Sequence, residues 1–332
     1  MSRALVTGGA GFIGAHLTRR LVRAGIAVDV VDDFSRAAPD AELASLIASG
    51  QVRVLRRDLR RPWSLDDIGT DYRYVAHLAA VVGVARVVKQ PYEVLVDSLA
   101  MLRNAVLAAT RQRALERFVF LSTSEVYAGT LAHFGLSFPT PEATPLTVTA
   151  LDDPRTPYML SKVYGEAVCH HAGVPFTVLR PHNVYGPRMG LAHVIPELLQ
   201  RAHAAAPGDP LEVASVDHRR TFCYVDDAVE MIWLAASSPA CAGQTLNVGA
   251  ERPELTIAHL ARLIAATVGK DLEVVPRAAT PGSPRRRCPD MSAARGLLGY
   301  EARVQLTDGL RRTYDWYRRE VFDSARRLSR SS

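Results

Sequence analysis

The run Arg3-Ala4-Leu5-Val6-Thr7 reads as a strand and passes without a break into Gly8-Gly9-Ala10-Gly11-Phe12-Ile13-Gly14, which opens an amphipathic stretch. A strand, a glycine-rich turn and a helix in that order leave few folds open. The glycines let the backbone turn tightly, approach a pyrophosphate and pack the helix close to the sheet. The helix N-terminus then offers free N–H groups and a positive dipole to phosphates. Gly8, Gly11, Phe12 and Ile13 are therefore candidate dinucleotide contacts. About 20 residues further on, the second strand candidate closes on Val30-Val31-Asp32-Asp33. A carboxylate there accepts from ribose hydroxyls and repels a 2′-phosphate, which points to NAD over NADP, with Arg36 nearby as a contrary charge. Asp58 follows the third strand candidate and either borders the adenine pocket or is a turn carboxylate.

The rhythm continues through the first half. Strand candidates at residues 3–7, 27–32, 51–56, 73–78, 116–121 and 175–180 alternate with helix candidates near 11–25, 40–49, 90–111 and 157–172. Such alternation predicts an α/β fold, a Rossmann-type doubly wound parallel sheet covered on both faces, joined by right-handed crossovers. After residue 181 Pro and Gly become frequent, and Leu211–Ala214 reads as a short, isolated strand. A helix near Asp226 looks N-capped by that acid. Residues 129–157 read as a long loop, and 276–290 as a loop rich in Pro and Arg. The expected division is a dinucleotide-binding domain over 1–180 plus about 214–247, a smaller C-terminal lobe over about 181–213 and 248–318, and a basic tail over 319–332.

Tyr158-Met159-Leu160-Ser161-Lys162 sets a phenol and an ammonium one helical turn apart on one face. A phenol with a pKa near 10 is a poor base at neutral pH; the ammonium and a cationic nicotinamide favour the phenolate. Tyr158 can then take a hydroxyl proton while hydride leaves the same carbon. Ser122-Thr123-Ser124-Glu125-Val126-Tyr127 stands at the carboxyl end of a strand, where open α/β sheets bind ligands. Thr123 or Ser124 is placed to hydrogen-bond a reacting hydroxyl, and Glu125 to act as base or orient water. Ordinary turn chemistry at a strand end is the plainer alternative.

Composition narrows the setting. The formal charge of +6 rests almost wholly on arginine, since Lys89, Lys162 and Lys270 are the lysines. It is not gathered on one element with interleaved aromatics, so no nucleic-acid partner is expected; a positive balance suits an anionic substrate. The arginine-rich stretch from Arg311 to Arg330 reads as a solvated helix end. No run of 18 apolar residues suggests a membrane span, and the start lacks a secretory pattern, so a cytoplasmic protein is expected. Cys169, Cys223, Cys241 and Cys288 are scattered, without metal-ligand spacing. No carboxylate or histidine cluster points to a metal, and His182 and His193 read as packing or pocket-wall residues.

Several motifs together resemble the extended short-chain dehydrogenase/reductases of the NAD-dependent epimerase/dehydratase family, over essentially the whole chain. They are the glycine turn, His77-Leu78-Ala79-Ala80, the segment from Ser122 to Tyr127 and the Tyr158/Lys162 pair. Further on come Arg180-Pro181-His182-Asn183-Val184-Tyr185-Gly186-Pro187-Arg188, Arg220-Thr221-Phe222-Cys223-Tyr224-Val225-Asp226-Asp227, Arg287-Cys288-Pro289-Asp290, and Leu298-Gly299-Tyr300 followed by Gly309-Leu310. The resemblance implies that Tyr158 is the acid/base and Lys162 its partner on the nicotinamide ribose. It adds Ser35, Leu59, Leu78, Ala79, Ala80, Ser122 and Pro181 to the cofactor contacts. Ser124, Glu125, Asn183, His193, Val194, Arg220 and Arg287 would face a nucleotide diphosphate sugar, UDP-linked by preference. A homodimer through residues 90–111 and 157–172 is also implied.

Members begin alike, by oxidising a sugar hydroxyl, usually at C4, and then diverge. The Thr-Ser-Glu-Val-Tyr segment and the Arg220 before Thr-Phe resemble UDP-glucuronate decarboxylases. Sugar 4-epimerases usually lack the Glu, and thymidine-linked 4,6-dehydratases place Asp where Ser124 stands. Decarboxylation of UDP-glucuronate is the reading expected, with 4-epimerisation and then 4,6-dehydration as alternatives. A non-catalytic dinucleotide-binding regulator is disfavoured because such proteins typically lose the Tyr-Lys pair.

Overall fold

The computed structural model describes residues 2–36, 41–63, 65–206, 208–279 and 282–323, with 84 and 85 by backbone alone. Six strands follow the sequence pattern closely: β1 (Arg3–Thr7), β2 (Ala27–Asp32), β3 (Val52–Arg56), β4 (Tyr72–His77), β5 (Arg117–Leu121) and β6 (Phe176–Pro181). A seventh, Gln244–Val248, joins at the edge beside β6. Across the sheet the order is Gln244–Val248, β6, β5, β4, β1, β2, β3, with every neighbouring pair parallel. The chain winds outward in both directions from β1 and β4, so a crevice opens at their carboxyl ends.

The helices are α1 (Phe12–Arg23), α2 (Ala41–Ala48), α3 (Val84–Lys89), α4 (Pro91–Thr110), α5 (Ala128–Phe134), α6 (Thr156–His171), α7 (Val194–Ala204) and α8 (Val225–Ser237) in the part that builds the crevice. Successive strand side chains point to opposite faces. Ala4 and Val6 therefore pack with Leu17 and Leu21 of α1 and Val229 and Ile232 of α8. Leu5, Phe118 and Phe120 pack on the other face with Leu102 and Ala105 of α4 and Cys169 of α6. Burial on both faces is why these strands read as continuous apolar runs.

Five local expectations need correction. Leu211–Ala214 is not isolated: it pairs in parallel with Val274–Arg277. Those four residues, and Arg286–Arg287 beside Arg219–Arg220, lie within the stretch 276–290 or at its edge, so that stretch is only partly loop. Helix α8 is not capped by Asp226. Tyr224 holds the N-cap position without a side-chain bond, while Asp226 pairs with Arg19 at 2.9 Å and Asp227 accepts from Tyr300 Oη at 2.7 Å. The stretch 129–157 begins with α5, too short and weakly patterned to be read from sequence. Finally, the C-terminal helix Leu306–Tyr317 runs on through a wider turn, Arg318–Phe322. Phe322 is buried there against Tyr317 and His203 while Arg318, Arg319 and Glu320 stay exposed, so the start of the tail is anchored on one side and solvated on the other; its residues 324–332 lie outside the described residues.

Among the described residues no helix is long and apolar enough to cross a membrane, and no group of His, Cys, Asp or Glu is placed to hold a metal. All four cysteines are free and buried.

Candidate active site

The crevice holds a cavity of about 630 Å³. Its floor is the glycine turn. Gly8 has φ +71°, and a Cβ there would come within 2.7 Å of the Ala79 amide nitrogen; a Cβ on Gly14 would strike the Gly8 carbonyl. Both glycines let the turn pack tightly on the strand end and the helix start, and Gly8, Ala10, Gly11, Phe12 and Ile13 border the cavity at the N-terminus of α1, so the residues present fit a dinucleotide. Asp32 ties the turn to β2, accepting from Ala10 N at 3.0 Å and Phe34 N at 2.8 Å. Burial raises the Asp32 pKa against the pull of those two donors.

Gly8, Gly11, Phe12, Ile13, Asp32, Asp33, Ser35, Asp58, Leu59, Leu78, Ala79, Ala80, Ser122, Thr123, Tyr158, Lys162, Pro181 and His193 all border this cavity. One guanidinium joins its two outer carboxylates: Arg60 sits 2.7 Å from Asp58 and 3.4 Å from Asp33. Asp58 thus has a turn role as well as a place on the wall, since its Oδ1 also accepts from Arg60 N at 3.0 Å.

Tyr158 and Lys162 share one end of the cavity, and in the protein alone the ammonium is turned to the main chain. Lys162 Nζ donates to the Leu121 carbonyl at 2.8 Å, and burial lowers its pKa to about 8. Burial pushes Tyr158 up to about 12; the Glu125 charge adds to this, and the Thr123 hydroxyl hydrogen-bonded to the phenol pulls the other way. In the protein alone desolvation outweighs every nearby cation, and the phenol stays protonated.

Behind this end lies a second cavity of about 310 Å³. The two meet at one stretch of chain: Thr123 borders the first, while Ser124 and Glu125 border the second. Glu125 stands between two guanidiniums, 2.5 Å from Arg287 and 3.3 Å from Arg155. Burial pushes its carboxyl up, but Arg287, Arg155 and Arg220 outweigh that and hold it below the usual range. Beneath, a buried network fixes the strand ends. Arg180 bridges Glu166 at 2.9 and 2.6 Å and Tyr127 Oη at 2.8 Å, and Ser122 donates to Glu166 at 2.6 Å.

Three expected substrate contacts border neither cavity. Asn183, at φ +42°, turns its amide to the Thr221 carbonyl at 2.9 Å. Val194 starts α7. Arg220 is spent on the carbonyls of Arg219 and Pro284 and on Ser283 Oγ, and burial together with the Arg287 charge lowers its pKa to about 10. Conversely, Arg155 was not anticipated. It sits one turn before Tyr158 at the mouth of α6, and that spacing was the available signal. Arg60, two residues after Asp58, was missed in the same way.

With this geometry in view, comparison with known proteins is direct. Residues 4–249 match the NAD dependent epimerase/dehydratase family. The UDP-N-acetyl-alpha-D-glucosaminuronate decarboxylase of Bacillus cytotoxicus is 30% identical over 331 residues, covering 95% of this chain and 98% of that relative. UDP-glucuronic acid decarboxylase 1 of Xenopus tropicalis is 31% identical over 326 residues, covering 96% and 73%. Among solved structures, the UDP-glucuronic acid 4-epimerase of Bacillus cereus in complex with UDP-glucuronic acid and NAD superposes with a TM-score of 0.80 at 26% identity, covering 96% and 99%. The chain belongs to the NAD-dependent epimerase/dehydratase family and is an NAD-dependent enzyme.

Proposed function

We propose that the enzyme modifies a nucleotide sugar through a 4-keto intermediate, and that the modification is decarboxylation of a UDP-linked uronic acid such as UDP-glucuronate. One observation carries the choice of reaction: Glu125 is clamped between Arg287 and Arg155 and held ionised, while the Ser124 hydroxyl beside it is too weak an acid to protonate a departing hydroxyl. Expelling a C6 hydroxyl as water needs an acid at that place. Losing carbon dioxide does not. The decarboxylase relatives support the same reading.

NAD, held by the glycine turn, Asp32 and Lys162 along the first cavity, would supply the hydride acceptor and donor. The chain supplies the rest. Tyr158 takes the C4 hydroxyl proton, with Thr123 holding the same oxygen. Lys162 binds the nicotinamide ribose and, once turned from the Leu121 carbonyl, favours the phenolate. With C4 a ketone, the C6 carboxylate belongs to a β-keto acid. The C5–C6 bond breaks, its electron pair passes into the C4 carbonyl as an enolate, carbon dioxide departs, and a proton returns to C5. His193 borders the nucleotide-sugar side, and Arg220 adds positive potential for the diphosphate without touching it. The sheet half binds the cofactor and the lobe beyond residue 181 the sugar nucleotide. The outer faces of α4 and α6 join two copies in a homodimer.

Mass spectrometry of the enzyme incubated with NAD and UDP-glucuronate tests the reaction. A product lighter by one carbon dioxide is expected; an isomer of unchanged mass would replace this reading with 4-epimerisation.

A further inference from the structure

Two guanidiniums hold the Glu125 carboxylate, and they are mounted differently. Arg155 stands at the N-cap position of α6, its backbone N–H donating to Asp153 Oδ1 at 2.8 Å. Its Nη1 donates to the Gly282 carbonyl at 2.8 Å and its Nη2 to Glu125 Oε2 at 3.3 Å. A Cβ on Gly282, at φ +68°, would come within 3.2 Å of that Nη1, so the loop of the lobe lies directly against the guanidinium. Arg155 is thus tied at once to the helix that carries Tyr158, to the chain after β5 and to the lobe. Arg287 makes a single side-chain hydrogen bond among the described residues, from Nη2 to Glu125 Oε1 at 2.5 Å. Its Nε and Nη1 remain available, and all three side chains border the second cavity.

This difference decides what happens when an anion enters. A guanidinium with spare N–H groups takes a phosphate or carboxylate in bidentate fashion, so an arriving anion competes with Glu125 for Arg287. The other charges near Glu125 do not replace that partner. Arg220 has its donors on the carbonyls of Arg219 and Pro284 and on Ser283 Oγ. The Tyr158 phenol near it is protonated, and Asp153, on the same cavity wall, is itself an acid. With Arg287 withdrawn, burial drives Glu125 towards the neutral form, and the cation still in contact with it is Arg155.

We propose that Arg155 is a positioning residue for Glu125, keeping that carboxylate ionised and in place while Arg287 turns to the anionic part of the substrate. The identity of the anion rests on the nucleotide-sugar reading above. The division of labour rests on the mounting of the two side chains.

Carbon-13 NMR of the full chain, labelled at the glutamate side-chain carboxyl and loaded with NAD, follows the titration of Glu125, whose signal is assigned by its loss in Glu125→Gln. UDP at saturation supplies the anion. In Arg155→Gln the Glu125 midpoint is expected to rise by about one pH unit or more with UDP, and by less than about half of that without it. Arg155→Lys, which restores the charge, should return the midpoint to within about half a unit of the parent. Turnover of UDP-glucuronate by Arg155→Gln should fall about tenfold in kcat near pH 5 and less at pH 8, with KM within about threefold. An unmoved midpoint, or the same shift with and without UDP, would overturn the assignment. A raised KM with an unchanged kcat profile would make Arg155 a substrate contact and also overturn it. So would a loss of kcat equal at every pH that Arg155→Lys does not repair, since that marks a purely structural part. If the parent turns over no UDP-glucuronate, the decarboxylase reading falls, while the titration still decides the role of Arg155.

Discussion

At the scale of single residues, the reacting end is a compromise between burial and charge. Replacing Tyr158 by Phe should abolish turnover, by about a thousandfold or more, while NAD affinity measured by fluorescence titration changes only a few-fold. Surviving turnover would mean another base. Lys162 gives a stability test. Its folded pKa is lowered from 10.5 to about 8, so between those values the unfolded chain holds a proton that the folded one lacks, and stability rises with pH there. Below pH 8 both states hold it, and the full cost of the buried ammonium is present. Lys162→Met should therefore be more stable than the parent at pH 7, by about 1–2 kcal/mol after losing the bond to Leu121. The gain should shrink towards pH 10, as read by urea unfolding at both values. A variant less stable at pH 7 would show that the ammonium is not a burden.

At the scale of elements, the glycine turn and the strand ends were legible because each residue type there has few alternatives. Gly8 needs both its left-handed backbone and its missing Cβ. Gly8→Ala should weaken NAD binding more than tenfold and cost about 1–3 kcal/mol, checked by titration and thermal melting together. The Tyr158/Lys162 spacing was equally plain. What the sequence hid was pairing: nothing local says that Glu125 meets Arg287, 162 residues away, or that Arg60 joins Asp33 to Asp58. The hidden partner of Arg180 is Glu166, and both are buried. Glu166→Gln leaves a guanidinium without its counter-charge and should cost about 3–5 kcal/mol in urea unfolding; a cost under about 1 kcal/mol would mean that water reaches the pair. The short α5 and the two-residue strands of the lobe escaped notice because so few residues carry no period.

At the scale of the whole molecule, alternation of apolar runs and amphipathic stretches conveyed the sheet because a parallel strand buried on both faces has few other readings. The edge strand Gln244–Val248 was overlooked because Gln244, Thr245 and Asn247 leave it no continuous apolar run and it begins exposed. The proposed dimer follows from side chains left outside: Tyr92 is 73% exposed and Val96 45% on α4, and Tyr164 is 51% exposed on α6. A charge in that surface, Val96→Glu, should convert a dimer to monomer in sedimentation equilibrium at micromolar concentration, whereas a parent that is already monomeric would remove the interface.

The central claim is that carbon dioxide leaves the sugar after Tyr158 has taken the C4 proton. Release of labelled carbon dioxide from UDP-glucuronate carrying the label at C6 tests it most directly. The account predicts release by the parent with NAD and none by Tyr158→Phe. Turnover of the sugar with the label retained, or equal release by the variant, would contradict it.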